Sequence, residues 1–97
     1  MENKLQVLIA EDHATVREGI KLLVGAQPDM EIIGEANNGD VAIAEALRLK
    51  PDIVLMDISM PGLNGLLATK KLRRLLPSLK ILILTRHSDD GYLQQMI

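Results

Sequence analysis

The chain has 97 residues, 47% of them hydrophobic and 25% charged, which predicts one small globular domain spanning residues 1–97 with an aliphatic core. It lacks cysteine, Phe and Trp, and its net charge is -2, which excludes disulfides, thiolate metal sites and an aromatic or basic surface for nucleic acid. The first apolar run is too short for a membrane span or a secretory signal. We therefore expect a cytoplasmic protein that does not enter the membrane.

Four short apolar runs predict strands of a parallel sheet, at residues 5–10, 30–36, 53–56 and 81–84. The second run is the most polar, as expected for an edge strand. Apolar residues at helical spacing predict three amphipathic helices between the strands. The predicted buried faces are Val16, Ile20, Leu23 and Val24, then Ala42, Ile43, Ala46 and Leu47, then Ala68, Leu72, Leu75 and Leu76. This alternation predicts a doubly wound α/β fold with helices on both faces of the sheet.

Local chemistry predicts where the helices begin and end. Thr15 and Glu18 have the spacing of a capping box, and Asp40 and Asn64 are predicted N-caps of the next two helices. Ser88 is a predicted cap of a fourth helix. Prolines cannot continue helical hydrogen bonding, so they indicate the helix ends; they are Pro28, Pro51 and Pro77.

The ends of three predicted strands carry chemically useful side chains. Glu11 and Asp12 follow the first strand, Asp57 the third and Thr85 the fourth. In open parallel sheets, ligands bind beyond the carboxyl ends of the strands where the strand order reverses. If the first and third strands are neighbours, three carboxylates converge there, and a cation must relieve their repulsion.

Oxygen ligands of this kind favour Mg²⁺, which also binds phosphate oxygens. The pattern therefore predicts Mg²⁺ at Glu11, Asp12 and Asp57, and phosphoryl transfer to Asp57 as the nucleophile. The Thr85 hydroxyl is predicted to hydrogen-bond a phosphoryl oxygen on Asp57.

Each of these residues also has a purely structural explanation. Glu11 and Asp12 suit a helix N-terminus, where negative charge complements the dipole, Asp57 suits a turn cap, and Thr85 suits a strand. Their shared position at one edge favours a functional site. His13 and His87 flank this edge, and the lack of paired ligands favours solvated loop histidines over zinc ligands.

Four segments resemble the receiver domain of bacterial two-component response regulators: VLIAEDH at 7–13, GEANNG at 34–39, DIVLMDISMPG at 52–62 and ILT at 83–85. The second is most similar to regulators of the LuxR/NarL type, which carry a C-terminal helix-turn-helix DNA-binding domain. The resemblance implies a flavodoxin-like sheet in the order 2-1-3-4. It also implies that Asp57 is the phosphoacceptor for a sensor histidine kinase, and that Thr85 is a switch hydroxyl. The implied Mg²⁺ ligands are Glu11, Asp12, Asp57 and the Ser59 backbone carbonyl.

The sequence also departs from that family. Receiver domains have a fifth strand and helix with a phosphate-pairing lysine, whereas this chain ends at Ile97 within its predicted fourth helix. Neither Lys4 nor Lys80 is at the correct end of a strand to replace that lysine. Arg86 stands where the family usually has a small residue. We therefore expect a receiver without its fifth βα unit, its catalytic lysine and its output domain, so that any DNA contact requires a domain outside this chain.

Three functional hypotheses remain open. The first is a phosphoacceptor domain, which is not a turnover enzyme. The second is an interaction module that forms a homodimer or a domain-swapped dimer through the exposed edge of the fourth strand. The third is an aspartyl-phosphate phosphatase, although residues 57–59 lack the second Asp that such an enzyme needs two positions after its nucleophile.

Overall fold

The computed structural model describes residues 4–60 and 64–84, and strands and helices alternate strictly along them. The elements are β1 Leu5–Ala10, α1 Ala14–Gly25, β2 Met30–Ala36, α2 Gly39–Leu49, β3 Ile53–Asp57, α3 Gly65–Leu75 and β4 Lys80–Leu84. The predicted strands are therefore confirmed to within one residue. Thr85, Arg86, His87 and the predicted helix at Ser88 lie outside the described residues.

The described strands form one parallel sheet in the order β2-β1-β3-β4. This confirms the flavodoxin-like order and places β2 at an edge, as its polar composition predicted. Alternate residues of β1 enter two separate cores: Val7 and Ile9 pack with Val24 of α1 on one face. Leu8 and Ala10 pack with α2 and α3 residues on the other face. The helices thus cover both faces, which confirms the doubly wound architecture.

The predicted apolar faces of the helices are only partly correct. Val24 is buried and Ile20 packs against the core, but Leu23 is 72% exposed. Arg17 and Lys21 form ion pairs with Glu35 of β2, so α1 is turned toward β2 and Leu23 lies on its opposite side. Leu47 of α2 and Leu75 of α3 are also exposed, because a helix buries a narrower stripe than its apolar residues indicate.

Of the three predicted helix caps that fall within the described residues, two are wrong. The N-cap of α1 is His13, without a side-chain cap, and Thr15 lies inside the helix. The N-cap of α2 is Asn38, whose Oδ1 accepts a hydrogen bond from the Val41 N–H at 2.8 Å, while Asp40 lies in the first turn. Asn64 is confirmed as the N-cap of α3. An N-cap needs extended backbone dihedrals, and the chain adopts them at Asn38 rather than at Asp40.

A β-bulge interrupts the pairing of β1 with β2. Val7 pairs with Ile32, but Leu8 pairs with Gly34, so Ile33 is an extra residue on β2. A Cβ atom on Gly34 would lie 2.6 Å from Leu49 Cδ1 and 3.2 Å from Leu8 Cδ1. Glycine at this position therefore leaves room for two core leucines directly after the bulge.

Candidate functional site

The site lies at the carboxyl edge of the two central strands. Ala10 of β1 pairs with Met56 of β3, so Glu11 and Asp57 each follow by one residue on neighbouring strands. Paired strands lie about 4.8 Å apart. The predicted adjacency of the acidic residues of β1 and β3 is therefore confirmed at the level of the backbone.

Glu11 is held by contacts from three directions and is only 1% exposed. Its backbone N–H donates to the Ala36 carbonyl of β2 at 2.9 Å. Its Oε2 accepts a hydrogen bond from the His13 N–H at 2.9 Å, and its carbonyl accepts one from Arg17 Nη1 at 2.9 Å. A buried carboxylate is costly unless it is hydrogen-bonded or paired, and these contacts fix both its backbone and its side chain.

Glu11, Asp12 and His13 form a compact group that we call the acidic cluster. One ligand atom from each lies within 4.8 Å of the others, and His13 Nδ1 is 3.2 Å from Asp12 Oδ1 and 3.5 Å from Glu11 Oε2. Two carboxylates at this spacing suit a hard divalent cation such as Mg²⁺. The sequence predicted a solvated His13, and its ring is 56% exposed. The contacts of His13 with Glu11 and Asp12 were not predicted. Its position next to the acidic pair was the available signal.

Asp57 is fully buried at the end of β3. Its Oδ1 accepts two hydrogen bonds from Ser59, one from the backbone N–H at 3.0 Å and one from the Oγ hydroxyl at 2.9 Å. Both bonds fall on the same oxygen, so they fix the rotation of the carboxylate. The predicted role of the Ser59 backbone carbonyl as a metal ligand stays a prediction.

Gly65 packs against the backbone that carries Asp57. It is buried at the start of α3, and a Cβ atom there would lie 2.7 Å from Ile58 Cα and would also meet the Asp57 carbonyl group. Sequence reasoning did not single out Gly65. Its position immediately after the Asn64 cap gave only a weak signal, because the close approach depends on the path of residues 57 and 58.

The remaining predicted site residues fall into two groups. Thr85 lies outside the described residues, so its role stays a prediction. Lys80 opens β4 and Lys4 directly precedes β1, which places both lysines at the amino edge of the sheet. This confirms that neither lies at the edge where Asp57 and the acidic cluster stand.

A family model for the response regulator receiver domain matches residues 7–97. The chain belongs to this family. It is 43% identical over 90 residues to the oxygen regulatory protein NreC of Staphylococcus haemolyticus, covering 92% of this chain and 42% of that protein. The receiver chain thus spans less than half the length of curated relatives that it matches.

Solved structures of receiver domains confirm the fold. The response regulator domain of Thermotoga maritima CheB superposes with a TM-score of 0.87 at 33% identity, covering 97% of this chain and 70% of that one. A DNA-binding response regulator of the LuxR family from Staphylococcus aureus gives 0.82 at 30% identity, covering 94% and 76%. Relatives of this receiver domain are therefore LuxR/NarL-type regulators, and the family is a signalling family rather than one of turnover enzymes.

An ion-pair network borders the acidic cluster of the receiver domain. Lys21 Nζ lies 2.8 Å from Glu35 Oε2 and 3.3 Å from Glu18 Oε2, and Arg17 Nε lies 3.0 Å from Glu35 Oε1. A hydrogen bond from Lys21 is the main reason that the pKa of Glu35 is lowered, and hydrogen bonds to Glu35 and Glu18 raise the pKa of Lys21. Glu35 is therefore an anion at neutral pH.

Two cavities lie at opposite edges of the sheet. One of about 310 Å³ is next to the ion-pair network and is lined by Arg17, Glu35, Ala36, Asn37 and Val41. The other, about 470 Å³, lies at the amino edge near Pro51, Asp52 and Pro77. Glu11, Asp12 and Asp57 do not line the larger cavity, so its size does not associate it with the chemistry of these carboxylates. In the described part of the chain, no helix has the length and apolar composition that crossing a bilayer requires.

Proposed function

We propose that this receiver domain accepts a phosphoryl group on Asp57 from a sensor histidine kinase and that Mg²⁺ binds beside it. The observation that carries the proposal is the position of Asp57, buried and oriented by Ser59, next to the strand that delivers Glu11 and Asp12. The proposed ligands are Glu11, Asp12, Asp57 and the Ser59 carbonyl. When bound there, Mg²⁺ supplies positive charge that neutralises the oxygens of the transferred group.

The protein's own part in the reaction is to hold one carboxylate in position. A carboxylate oxygen of Asp57 attacks the phosphorus of a phosphohistidine, and an acyl phosphate bond forms. The bond from phosphorus to the imidazole nitrogen breaks, and that nitrogen keeps the electron pair and takes a proton from solvent. Ser59 keeps the Asp57 carboxylate in one rotational state, which reduces the ordering required at the moment of attack.

We further propose that the phosphorylated domain controls a DNA-binding output domain in a longer cytoplasmic protein. The support is its similarity to LuxR-family regulators, one of which is described as DNA-binding, and its coverage of less than half of its curated relatives. The net charge of -2 gives this domain as a whole no electrostatic attraction to DNA.

Intact-mass measurement tests the phosphoacceptor. The receiver domain is incubated with acetyl phosphate and Mg²⁺, and we expect one phosphoryl adduct that disappears with EDTA and in Asp57→Asn. A folded, Mg²⁺-bound wild-type domain without an adduct would contradict the proposal, as would an adduct that persists in the variant. Continuous hydrolysis of a phosphate ester would instead support the phosphatase hypothesis. Ser59 occupies the position where a phosphatase of this kind needs a second Asp. Its backbone N–H and its hydroxyl donate hydrogen bonds to Asp57 Oδ1, and it carries no carboxyl group that could act as an acid.

Self-association is the second candidate function. Leu22 and Leu23 are adjacent on α1 and largely exposed, and Leu82 of β4 is 53% exposed; exposed apolar surface favours protein contacts. Sedimentation at several concentrations, with and without phosphorylation, tests this. A strictly monomeric domain in both states would exclude a homodimer or a domain-swapped dimer.

A further inference from the structure

We propose that Arg17 is a positioning residue for the acidic cluster, linking the end of β1 to the edge strand β2. The inference rests on the proposed Mg²⁺ site, and it concerns the backbone that carries Glu11 and Asp12. Arg17 itself touches no reacting group in this scheme. Its role is to hold the peptide from which both carboxylates project.

The guanidinium of Arg17 joins two elements. Its Nη1 donates to the Glu11 carbonyl at 2.9 Å, and its Nε lies 3.0 Å from Glu35 Oε1 as an ion pair whose N–H is not aligned for a hydrogen bond. Arg17 is only 21% exposed, so these contacts are partly shielded from solvent. A planar guanidinium can engage two groups in fixed directions, which a lysine ammonium cannot do equally well.

The β-bulge directs Glu35 toward Arg17. Side chains alternate between the faces of a strand, and Ile32 packs on the α1 face with Val7. An unbroken strand would turn residue 35 to the opposite face, but the extra residue Ile33 restores Glu35 to the α1 face opposite Ile9. Bulges commonly redirect a side chain in this way.

Lys21 provides a matched comparison within the same network. It contacts Glu35 at 2.8 Å and Glu18 at 3.3 Å, and it is one turn further along α1 from Arg17. Arg17, unlike Lys21, is bonded to the Glu11 carbonyl in the described contacts. Loss of Lys21 therefore weakens the network around Glu35, whereas loss of Arg17 also removes a hydrogen bond to the peptide that follows Glu11.

The peptide between Glu11 and Asp12 determines where their carboxylates point. Among the described contacts, the Glu11 N–H bonds to β2 and Glu11 Oε2 accepts from His13, whereas the bond from Arg17 is made to the carbonyl of this peptide. Residues that orient metal ligands from behind typically contribute about 10- to 100-fold to metal affinity. We expect the contact from Arg17 to contribute to Mg²⁺ affinity by a factor within this range.

The test compares Arg17→Met with Lys21→Met in the whole chain. Mg²⁺ affinity is measured from backbone amide chemical shifts in a titration with MgCl₂. We expect Arg17→Met to raise Kd about tenfold or more and Lys21→Met to leave it within about threefold of wild type. Arg17→Lys, which retains the charge beside Glu35, is expected to give an intermediate Kd.

A second readout needs no metal. The His13 N–H donates to Glu11 Oε2, so its hydrogen exchange in EDTA reports whether Glu11 is still in place. We expect faster exchange in Arg17→Met and a rate close to wild type in Lys21→Met, while thermal unfolding of both variants is followed in parallel.

Equal Kd values and equal His13 exchange in wild type and Arg17→Met would overturn the proposal. So would parallel losses of Mg²⁺ affinity and stability in both variants, because a general structural role would affect them alike. If wild type does not bind Mg²⁺, the proposed function fails, and the His13 exchange still decides whether Arg17 positions Glu11. If Arg17→Met does not fold, Arg17→Lys decides by the same two measurements.

Discussion

The backbone of Asp57 packs closely against Gly65, a residue without a side chain. Gly65 at the start of α3 approaches the backbone of Asp57 and Ile58, and backbone cannot move aside as a flexible side chain can. A Cβ at residue 65 must therefore displace either α3 or the segment that carries Asp57. This steric limit is local, yet it restricts the position of the backbone from which the Asp57 carboxylate projects.

We predict that Gly65→Ala destabilises the domain by about 1–3 kcal/mol, the usual cost of overpacking, and slows phosphorylation of Asp57. Urea unfolding and intact-mass time courses measure the two effects. Gly19→Ala is the control, since a Cβ there meets nothing within 4 Å and alanine should stabilise α1 by up to about 1 kcal/mol. A Gly65→Ala protein as stable and reactive as wild type would disprove the steric argument.

The ionisation of Glu35 responds to its neighbours on α1. Because Lys21 chiefly lowers the pKa of Glu35 below its ordinary value of 4.5, the ionised carboxylate contributes stability above that pH. The contribution is lost as pH falls through the lowered pKa of the folded state. Glu35 is partly exposed, so salt screens this effect.

We predict that Lys21→Met raises the pKa of Glu35 toward 4.5, as measured by ¹³C NMR titration of its carboxyl group. The stability difference between wild type and variant should shrink as pH falls below that value, because protonated Glu35 no longer attracts Lys21. Lys70→Met, at an exposed position on α3, is the control and should leave the Glu35 titration unchanged. An unchanged Glu35 pKa in Lys21→Met would show that the ion pair is not formed in solution.

At the scale of elements, α2 and α3 each begin where an amide side chain meets extended backbone. Asn38 and Asn64 both accept a hydrogen bond from the N–H three residues later, which satisfies an otherwise unpaired donor of the first turn. Thr15 has the composition of a capping box but lies inside α1, because the chain becomes helical already at Ala14. Capping composition alone therefore misplaces the N-caps of α1 and α2 by two residues each.

We predict that Asn38→Ala and Asn64→Ala each lower the free energy of unfolding by about 1 kcal/mol. Thr15→Ala should change it by less than about 0.5 kcal/mol, because alanine is the better helix former and no cap is lost. Urea denaturation of the three variants measures this. A loss in Thr15→Ala equal to that in Asn38→Ala would restore the predicted capping box.

At the scale of the whole molecule, we expect charge repulsion within the acidic cluster to lower the stability of the domain when no cation is bound. Glu11 and Asp12 place ligand oxygens within 4.8 Å of each other, and like charges that close repel unless a cation lies between them. His13, largely exposed, offsets this repulsion only when it is protonated. The metal-free domain is thus expected to be less stable than the same fold with fewer charges at that edge.

We predict opposite effects of Asp12→Asn in the two conditions. In EDTA the variant should unfold at a higher temperature than wild type. With Mg²⁺ at about ten times its Kd, wild type should gain about 1.4 kcal/mol, or roughly 6–11 °C in Tm, and the variant much less. Differential scanning calorimetry measures both conditions. Equal Mg²⁺-induced shifts in the two proteins would exclude Asp12 from the metal site.

Periodicity and local chemistry determined most of the architecture. The apolar runs at 5–10, 30–36, 53–56 and 81–84 were sufficient to predict the strands, because strands buried on both faces need continuous apolar sequence. The acidic residues after the first and third runs indicated the site, since the carboxyl ends of parallel strands share one edge. The roles of Ser59 as a metal ligand and of Thr85 as a switch remain predictions.

Only the tertiary structure decided which contacts support that site. Three of these contacts are the bulge at Ile33, the approach of Gly65 to Ile58 and the hydrogen bond from Arg17 to Glu11. Each of them either joins segments that are separate in the sequence or depends on the exact register of the strands. The exposure of Leu23 has the same origin, because Ile20 and Val24 of α1 pack against the sheet while Arg17 and Lys21 pair with Glu35, which leaves Leu23 on the outer side. Sequence patterns record the period of each element, whereas register and rotation arise when distant side chains compete for the same space.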